Sequence, residues 1–269
     1  MTKFKNYLIK NEKSQSTVDK YVRDALAFCA WLGKDELTKE RVLEYKEKLI
    51  SEYSTASANS IISALNCYFE FLGRCDLKIK VFKTQRSIFA DKEKELSKQE
   101  YERLLKAAEK NERLYLLIQT ICSTGTRVSE LKFITVEAAE SGQATVNNKG
   151  KIRIILLPKD LCKTLKKYAK KNNIKKGSIF ITRNKKPLDR SNIWKMLKAL
   201  CKAARVAKEK VFPHNLRHLF ARTFYKIQKD IVRLADILGH SSINTTRIYT
   251  MTTGEEHRKQ IDRLNLLRC

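Results

Sequence analysis

Residues 142–158 read GQATVNNKGKIRIILLP, and the spacing of apolar residues changes inside this stretch. Gln143–Val146 and Ile152–Leu157 are short runs of apolar and β-branched residues. They flank Asn147-Asn148-Lys149-Gly150, a polar turn ending in glycine, so the stretch reads as a β-hairpin. Most of what surrounds it reads as helix. The 269 residues contain three prolines (Pro158, Pro187, Pro213) and eight glycines, few breakers for a chain of this length. The expected fold is therefore mainly α with a small β-sheet, in the α+β class.

Before the hairpin, Ser16 or Thr17 can cap a helix carrying Val18, Tyr21, Val22, Ala25, Leu26 and Cys29 on one face, ending at Gly33. Thr38 opens a second helix with Val42, Tyr45 and Leu49. A third runs from about Ser57 to Leu72 and stops at Gly73. Residues 1–86 thus read as a small helical module. The pattern then loses periodicity and gains charge, and 87–95 is expected to be a linker. Ser97 with Glu100 three residues on forms a capping box that opens a second module, 96–269. In it, an apolar helix from Leu114 to Cys122 leads into the STGTR stretch at 123–127. A further short strand is expected at Ser178–Ile181. Beyond Pro187 the chain reads as helical, including about Arg190 to Ala204, with loops at about Pro213 and Gly239. After Gly254 an amphipathic tail helix has Ile261, Leu264 and Leu267 on one side.

Charge narrows the partners. Lys and Arg number 56 against 29 Asp and Glu, a net +27, which suits a polyanion such as nucleic acid. The plainer reading is a very soluble basic protein. The seven cysteines are odd in number and form no C-x-x-C pair, which fits neither a zinc site nor a disulfide framework and suggests a reducing cytoplasm. No signal-like or membrane-spanning apolar run is present, so no membrane partner is expected. The chain also lacks an H-E-x-x-H pattern, clustered carboxylates of the two-metal kind and a phosphate-binding glycine loop. No metal or other cofactor is expected.

Breaking a phosphodiester without metal or nucleotide needs a nucleophile, fixed cations for the non-bridging oxygens, and a proton for the leaving oxygen. Arginine suits the oxygens because its planar fork donates two parallel bonds and stays charged. Lysine or histidine suits proton transfer. A tyrosine has an ordinary pKa of about 10, so cationic neighbours must favour its ionised form. These residue types occur in four short blocks: STGTRVSEL at 123–131, NNKGKIRIILLP at 147–158, HNLRHLFA at 214–221 and LGHSSINTTRIYT at 238–250. Each residue alone has a plainer reading. Arg127 is a solvated arginine after a glycine loop, Lys149 a turn residue, and the histidines of HNLRH satisfied helix groups. His240 can end a turn, and Tyr249 is one of ten tyrosines. The order and spacing of the four together carry the signal.

Those blocks resemble the tyrosine recombinase (phage integrase) family, closest to its Xer-type and transposon or phage members. The resemblance is weak over the first module and strong from about Leu96. It implies a helical core-binding domain of the SAM-like kind followed by a catalytic domain, together clamping DNA. It implies site-specific cutting and rejoining of double-stranded DNA through a 3′-phosphotyrosyl intermediate. By the resemblance, Arg127 and Arg217 grip the scissile phosphate and Lys149 protonates the 5′ leaving oxygen. His214 acts as general acid/base, His240 hydrogen-bonds the phosphate, and Tyr249 attacks. Glu130 orients the first arginine's region, and His218 has a supporting role. The family usually reads G-K-G in the hairpin. Here Asn148 replaces the first glycine, and Lys151 remains an alternative to Lys149. The implied assembly is a homotetramer on a specific recombination site, with a tail docked on the neighbouring subunit. A heterotypic recombinase partner or an accessory DNA-bending protein can join it, at the cytoplasmic nucleoid. Two alternatives stand beside this: a topoisomerase-like DNA-relaxing enzyme of type IB, and a non-catalytic DNA-binding protein keeping the fold.

Overall fold

The computed structural model describes residues 1–83, 92–148, 151–250, 258 and 262–264. It divides into two compact units, Met1–Arg86 and Ser87–Cys269. Among the described residues no helix is long and apolar enough to cross a membrane.

The first unit is all helical: α1 (Thr2–Lys10), α2 (Gln15–Leu32), α3 (Lys39–Glu52) and α4 (Thr55–Phe71). On α4, Ala58, Ile62, Leu65 and Phe69 recur at steps of four, three and four and are buried together, the apolar stripe of a surface helix. Phe28 of α2 and Tyr45 of α3 meet that stripe, with the rings of Phe28 and Phe69 edge to face at 5.6 Å. Thr38 caps α3 as expected by accepting from the N–H of Arg41. One expectation is corrected. α2 begins earlier than Ser16, because the Ser14 hydroxyl takes the Thr17 N–H and draws Gln15 into the first turn. The N-terminus also forms a helix, α1, whose Phe4 and Leu8 are fully buried against Val18 and Ala25. Two apolar anchors one turn apart suffice once a neighbouring stripe receives them.

The second unit holds α5 (Lys98–Ala108), α6 (Glu112–Thr124), α7 (Val136–Ser141), β1 (Gln143–Asn148), β2 (Lys151–Leu156) and α8 (Lys159–Lys171). It continues with α9 (Arg190–Ala204), α10 (Pro213–Gln228), α11 (Ile231–Leu238) and the single turn α12 (Ile243–Thr246). Ser97 and Glu100 form the capping box of α5. The core gathers Leu117 and Ile121 of α6, Leu165 of α8, Leu197 of α9 and Leu216 of α10. β1 and β2 pair antiparallel, with Val146 opposite Arg153 and Ala144 opposite Ile155. Those four face inward, whereas Ile152, Ile154 and Leu156 point outward and are exposed.

Two further expectations change. Ser178–Ile181 is not a sheet strand: it makes only isolated bridges, Thr135 to Ser178 and Ile181 to Pro187, although Ile179 and Phe180 are buried. Apolar burial alone does not recruit a ladder partner. Pro213 lies inside a helix rather than a loop. It is the first residue of α10 after the Phe212 cap, where the missing N–H would have had no partner and the fixed φ suits a helix. The tail expected after Gly254 lies outside the described residues apart from 258 and 262–264, as does most of the 87–95 segment.

Candidate active site

The site grows from two helices that end at glycine. α6 stops at Gly125 and α11 at Gly239, both left-handed with φ of 63° and 62°. A helix end leaves its last carbonyls without intrahelical partners, and they carry partial negative charge. Here arginines occupy them. Arg217, from α10, donates from Nη1 to Gly125 O at 2.5 Å and from Nη2 to Leu238 O at 2.8 Å. Arg127 donates from Nη2 to Gly239 O at 3.3 Å. Arg217 is 1% exposed, a burial that a guanidinium tolerates only with fixed acceptors.

Glu130 organises the outer part. Arg127 precedes a short 3-10 helix, Val128–Phe133, and its own N–H donates to Glu130 Oε2 at 2.8 Å. Its Nη1 donates to Oε1 at 2.9 Å, and the Thr126 hydroxyl lies 3.3 Å from Oε2. The carboxylate is thus held from three directions, and it orients the first arginine. The Glu130 side chain is 4% exposed but that of Arg127 is 38% exposed, leaving Arg127 able to meet a ligand from solvent.

α10 places His214 and His218 one turn apart, ring centroids 4.3 Å apart. The edge of His218 meets the ring of Tyr249 at 5.0 Å and 87°. Tyr249 sits on the 3-10 turn Arg247–Tyr249, 5% exposed, against Ala221, Leu234 and Leu238. The ring of His240 lies nearly parallel to it at 6.4 Å. His240 contacts Arg217 Nη2 through Nε2 at 3.0 Å and Thr246 Oγ1 through Nδ1 at 2.9 Å. A guanidinium only donates, so Nε2 is the acceptor and Nδ1 carries the proton. Arg217 therefore sets the tautomer, and the buried Thr246 hydroxyl accepts the Nδ1 proton.

Electrostatics follow from this crowding. Burial pushes the Tyr249 hydroxyl above its ordinary 10. Arg217 opposes it through charge and a hydrogen bond, followed by Arg127 and Arg222. Burial, and after it the neighbouring positive groups, press His218 and His240 each down to about 4. His214, the most open of the three, is lowered by desolvation and then by Arg217, Arg127 and Arg190. Arg217 itself falls to about 10, burial first and Arg127 second. At neutral pH the site therefore holds neutral imidazoles able to accept a proton, beside guanidiniums that favour a phenolate.

Of the residues expected from the sequence, Arg127, Glu130, His214, Arg217, His218, His240 and Tyr249 come together in one chain. Lys149 lies outside the described residues, as does the side chain of Lys151. The sequence reading missed Arg153. Its Nη1 lies 3.2 Å from both Glu130 oxygens, and its side chain is only 10% exposed. The available signal was period two: Arg153 alternates with Ile155 and Leu157, which puts a charge on the inward face of a strand. Thr246 was missed as well, and a lone threonine in a turn gives no signal.

Outside this centre, α9 buries Ile193, Leu197, Cys201 and Ala204 and leaves Trp194 49% exposed. Arg190, Ser191, Trp194 and Lys195 line a shallow depression at its start. Lys198 stands 5.0 Å over the Trp194 ring. Cations around an exposed indole suit a phosphate backbone.

Comparison with known proteins places these features in context. Residues 94–256 match the phage integrase family, and residues 1–75 match the N-terminal SAM-like domain of phage integrases. The tyrosine recombinase XerA of Pyrococcus furiosus is 30% identical over 278 residues, covering 99% of this chain and 94% of the relative. The tyrosine recombinase XerH of Campylobacter jejuni is 31% identical over 256 residues, covering 86% and 72%. Among solved structures, XerA recombinase matches at 26% identity and a TM-score of 0.55, covering 99% of this chain and 98% of that one. XerH in its post-cleavage complex with palindromic difH substrate shares the fold, with a TM-score of 0.72 at 21% identity, covering 91% and 78%.

Proposed function

The chain belongs to the phage integrase family and is a tyrosine recombinase that cleaves and rejoins DNA, and from that premise we propose that Tyr249 is its nucleophile. The phenol oxygen attacks phosphorus, the bond from phosphorus to the 5′ oxygen breaks, and a 3′-phosphotyrosyl ester forms. The ester conserves the energy of the broken bond, so rejoining by a free 5′ hydroxyl needs no fuel. Arg127 and Arg217 take the negative charge that grows on the non-bridging oxygens. His214 exchanges the tyrosine proton, and His240 hydrogen-bonds the phosphate. The hairpin lysine, Lys149 in preference to Lys151, protonates the departing 5′ oxygen. Glu130 orients Arg127, and His218 packs the nucleophile.

One observation carries this reading: the phenol of Tyr249 lies against His218 and His240 and feels Arg217 first among the cations around it. The arrangement also bears on the mode of binding. With Nε2 accepting from Arg217, His240 has no proton to offer there, so donating to a phosphate requires taking one up, which the incoming negative charge favours.

The DNA is double-stranded and carries a specific recombination site, and the active assembly is a homotetramer in which cut strands are exchanged. Domain roles follow the same line: 1–86 embraces DNA as a core-binding domain, 87–95 links, and 96–269 is catalytic.

The test uses a nicked duplex bearing a site that the full chain selects from a random-sequence pool. The wild type should form a covalent adduct mapping to Tyr249. Tyr249→Phe should bind with unchanged affinity and form none. An adduct on Tyr249→Phe, or binding without any adduct by the wild type, would overturn the assignment.

A further inference from the structure

Arg153 is a buried charge that the mechanism above does not use. Its guanidinium sits on both oxygens of Glu130, the carboxylate that also holds Arg127. Its aliphatic stem lies against Gly239. A Cβ built on that glycine would stand 2.4 Å from Arg153 Cδ, and the Gly239 carbonyl is the other acceptor of Arg127. Arg153 therefore touches both supports of Arg127, one through charge and one through packing, and it does so from the hairpin strand β2.

Its environment argues against a purely stabilising role. Nε and Nη2 of Arg153 are buried and have no hydrogen-bond partner among the described residues. A buried donor left unpaired is destabilising, because it gives up its hydrogen bond to water and gains none. A buried ion pair is often matched or bettered in stability by apolar residues of similar volume. Ile155 and Leu157, on the same inward face, show that this strand accommodates apolar side chains. The charge needs another reason, and electrostatics supplies one. With Glu130 paired to Arg127 alone, carboxylate and guanidinium cancel, and little net charge remains for a phosphate. Arg153 offsets the carboxylate, so the group of three keeps one net positive charge. Arg127, the most exposed member, presents it to solvent.

We propose that Arg153 is a positioning residue for strand cleavage, which neutralises Glu130 and fixes it with Gly239 so that Arg127 keeps its charge and aim for the scissile phosphate. The proposal rests on the recombinase reading of Tyr249 and Arg127. It also joins the hairpin strand leading from the expected catalytic lysine to the arginine pocket, so a shift of β2 is felt at Arg127.

The experiment is a double-mutant cycle on the full chain, with the selected nicked duplex as probe. Single-turnover adduct formation is measured at saturating DNA, and the dissociation constant is measured separately. Arg153→Met should slow adduct formation on the order of 10- to 100-fold, as expected for a misplaced catalytic group. The dissociation constant should stay within about threefold, because Arg153 itself is 10% exposed and makes no contact with DNA in this reading. Arg153→Lys, which keeps the charge and one donor to Glu130, should recover part of the rate. In a Glu130→Gln background the same Arg153→Met change should cost no more than about threefold, because residues acting through one another are not additive. Should Arg153→Met fail to fold, Arg153→Gln takes its place in the cycle. A wild-type rate for the Arg153 variants would overturn the proposal. So would a loss that multiplies undiminished with that of Glu130→Gln, or a loss appearing only in affinity. A wild type that forms no adduct would instead strike the reading of Tyr249 on which this one stands.

Discussion

Replacing Gly125 with alanine should damage the catalytic unit far more than the same change at Gly142, and the structure sets the size of the difference. Both glycines end helices in the left-handed region, with φ of 63° and 78°. An alanine there costs about 1–2 kcal/mol, because Cβ crowds the following carbonyl oxygen. At Gly142 nothing lies within 4 Å of the new Cβ, so that strain is the whole cost. At Gly125 the Cβ would stand 2.5 and 2.7 Å from Phe220 Cδ1 and Cε1 and 2.9 Å from Leu238 Cδ2. Forcing a methyl into packed side chains adds about 1–3 kcal/mol. The expected losses are thus about 2–5 kcal/mol for Gly125→Ala and about 1–2 kcal/mol for Gly142→Ala. The chain has two tryptophans, one in each unit. In a Trp31→Phe background, Trp194 fluorescence then reports urea unfolding of the catalytic unit alone. Because Arg217 Nη1 seats on the Gly125 carbonyl, Gly125→Ala should also slow adduct formation under folded conditions, and Gly142→Ala should not. Equal stability losses for the two variants would refute the packing argument, and an unslowed Gly125→Ala would refute the claim that this carbonyl places the second arginine.

Two further outcomes can be measured. His218 and His240 are held at about 4 in the folded site against an ordinary 6.5, so between those values the unfolded chain binds more protons than the folded one. Stability of the catalytic unit should be complete above about pH 6.5 and decline as the pH falls towards 4. Urea midpoints from pH 7.5 to 4.5 would show it, and His218→Leu should flatten the profile; a flat wild-type profile refutes it. At the start of α9, Arg190→Ala with Lys195→Ala should weaken DNA binding uniformly across sequences. It should also reduce the slope of log affinity against log salt by about 2, near 0.9 per lost phosphate contact. An unchanged slope would remove these residues from the interface.

Much of the architecture was legible from local chemistry. The Thr38 cap, the Ser97–Glu100 capping box and the limits of α9 depend on hydrogen bonds within one turn, and their residues announce them. So do the two strands of the hairpin, whose period differs from everything around it. Other elements depend on what lies alongside them. α1 is held by Phe4 and Leu8 inserted into a stripe on other helices, and no local period in a lysine-rich segment shows that. Ser178–Ile181 has the composition of a strand but finds only isolated bridges, because pairing depends on what lies alongside. Pro213 differs in kind: its signal is local, since a proline at the first helical position starts a helix rather than breaking it.

The candidate site divides in the same way. Arg127, His214, Arg217, His240 and Tyr249 were recognisable as residue types that phosphodiester chemistry calls for, and the resemblance of their four blocks to the tyrosine recombinase family singled them out together with Glu130 and His218. The sequence alone could say that such groups exist and in what order. Only the tertiary structure decided that Arg217 seats on two helix-end carbonyls, that it fixes the proton position on His240, and that Arg153 shares Glu130 with Arg127. Those facts depend on distances between residues 21 to 92 positions apart in the chain. Packing of the whole unit sets such distances, and no single stretch encodes them.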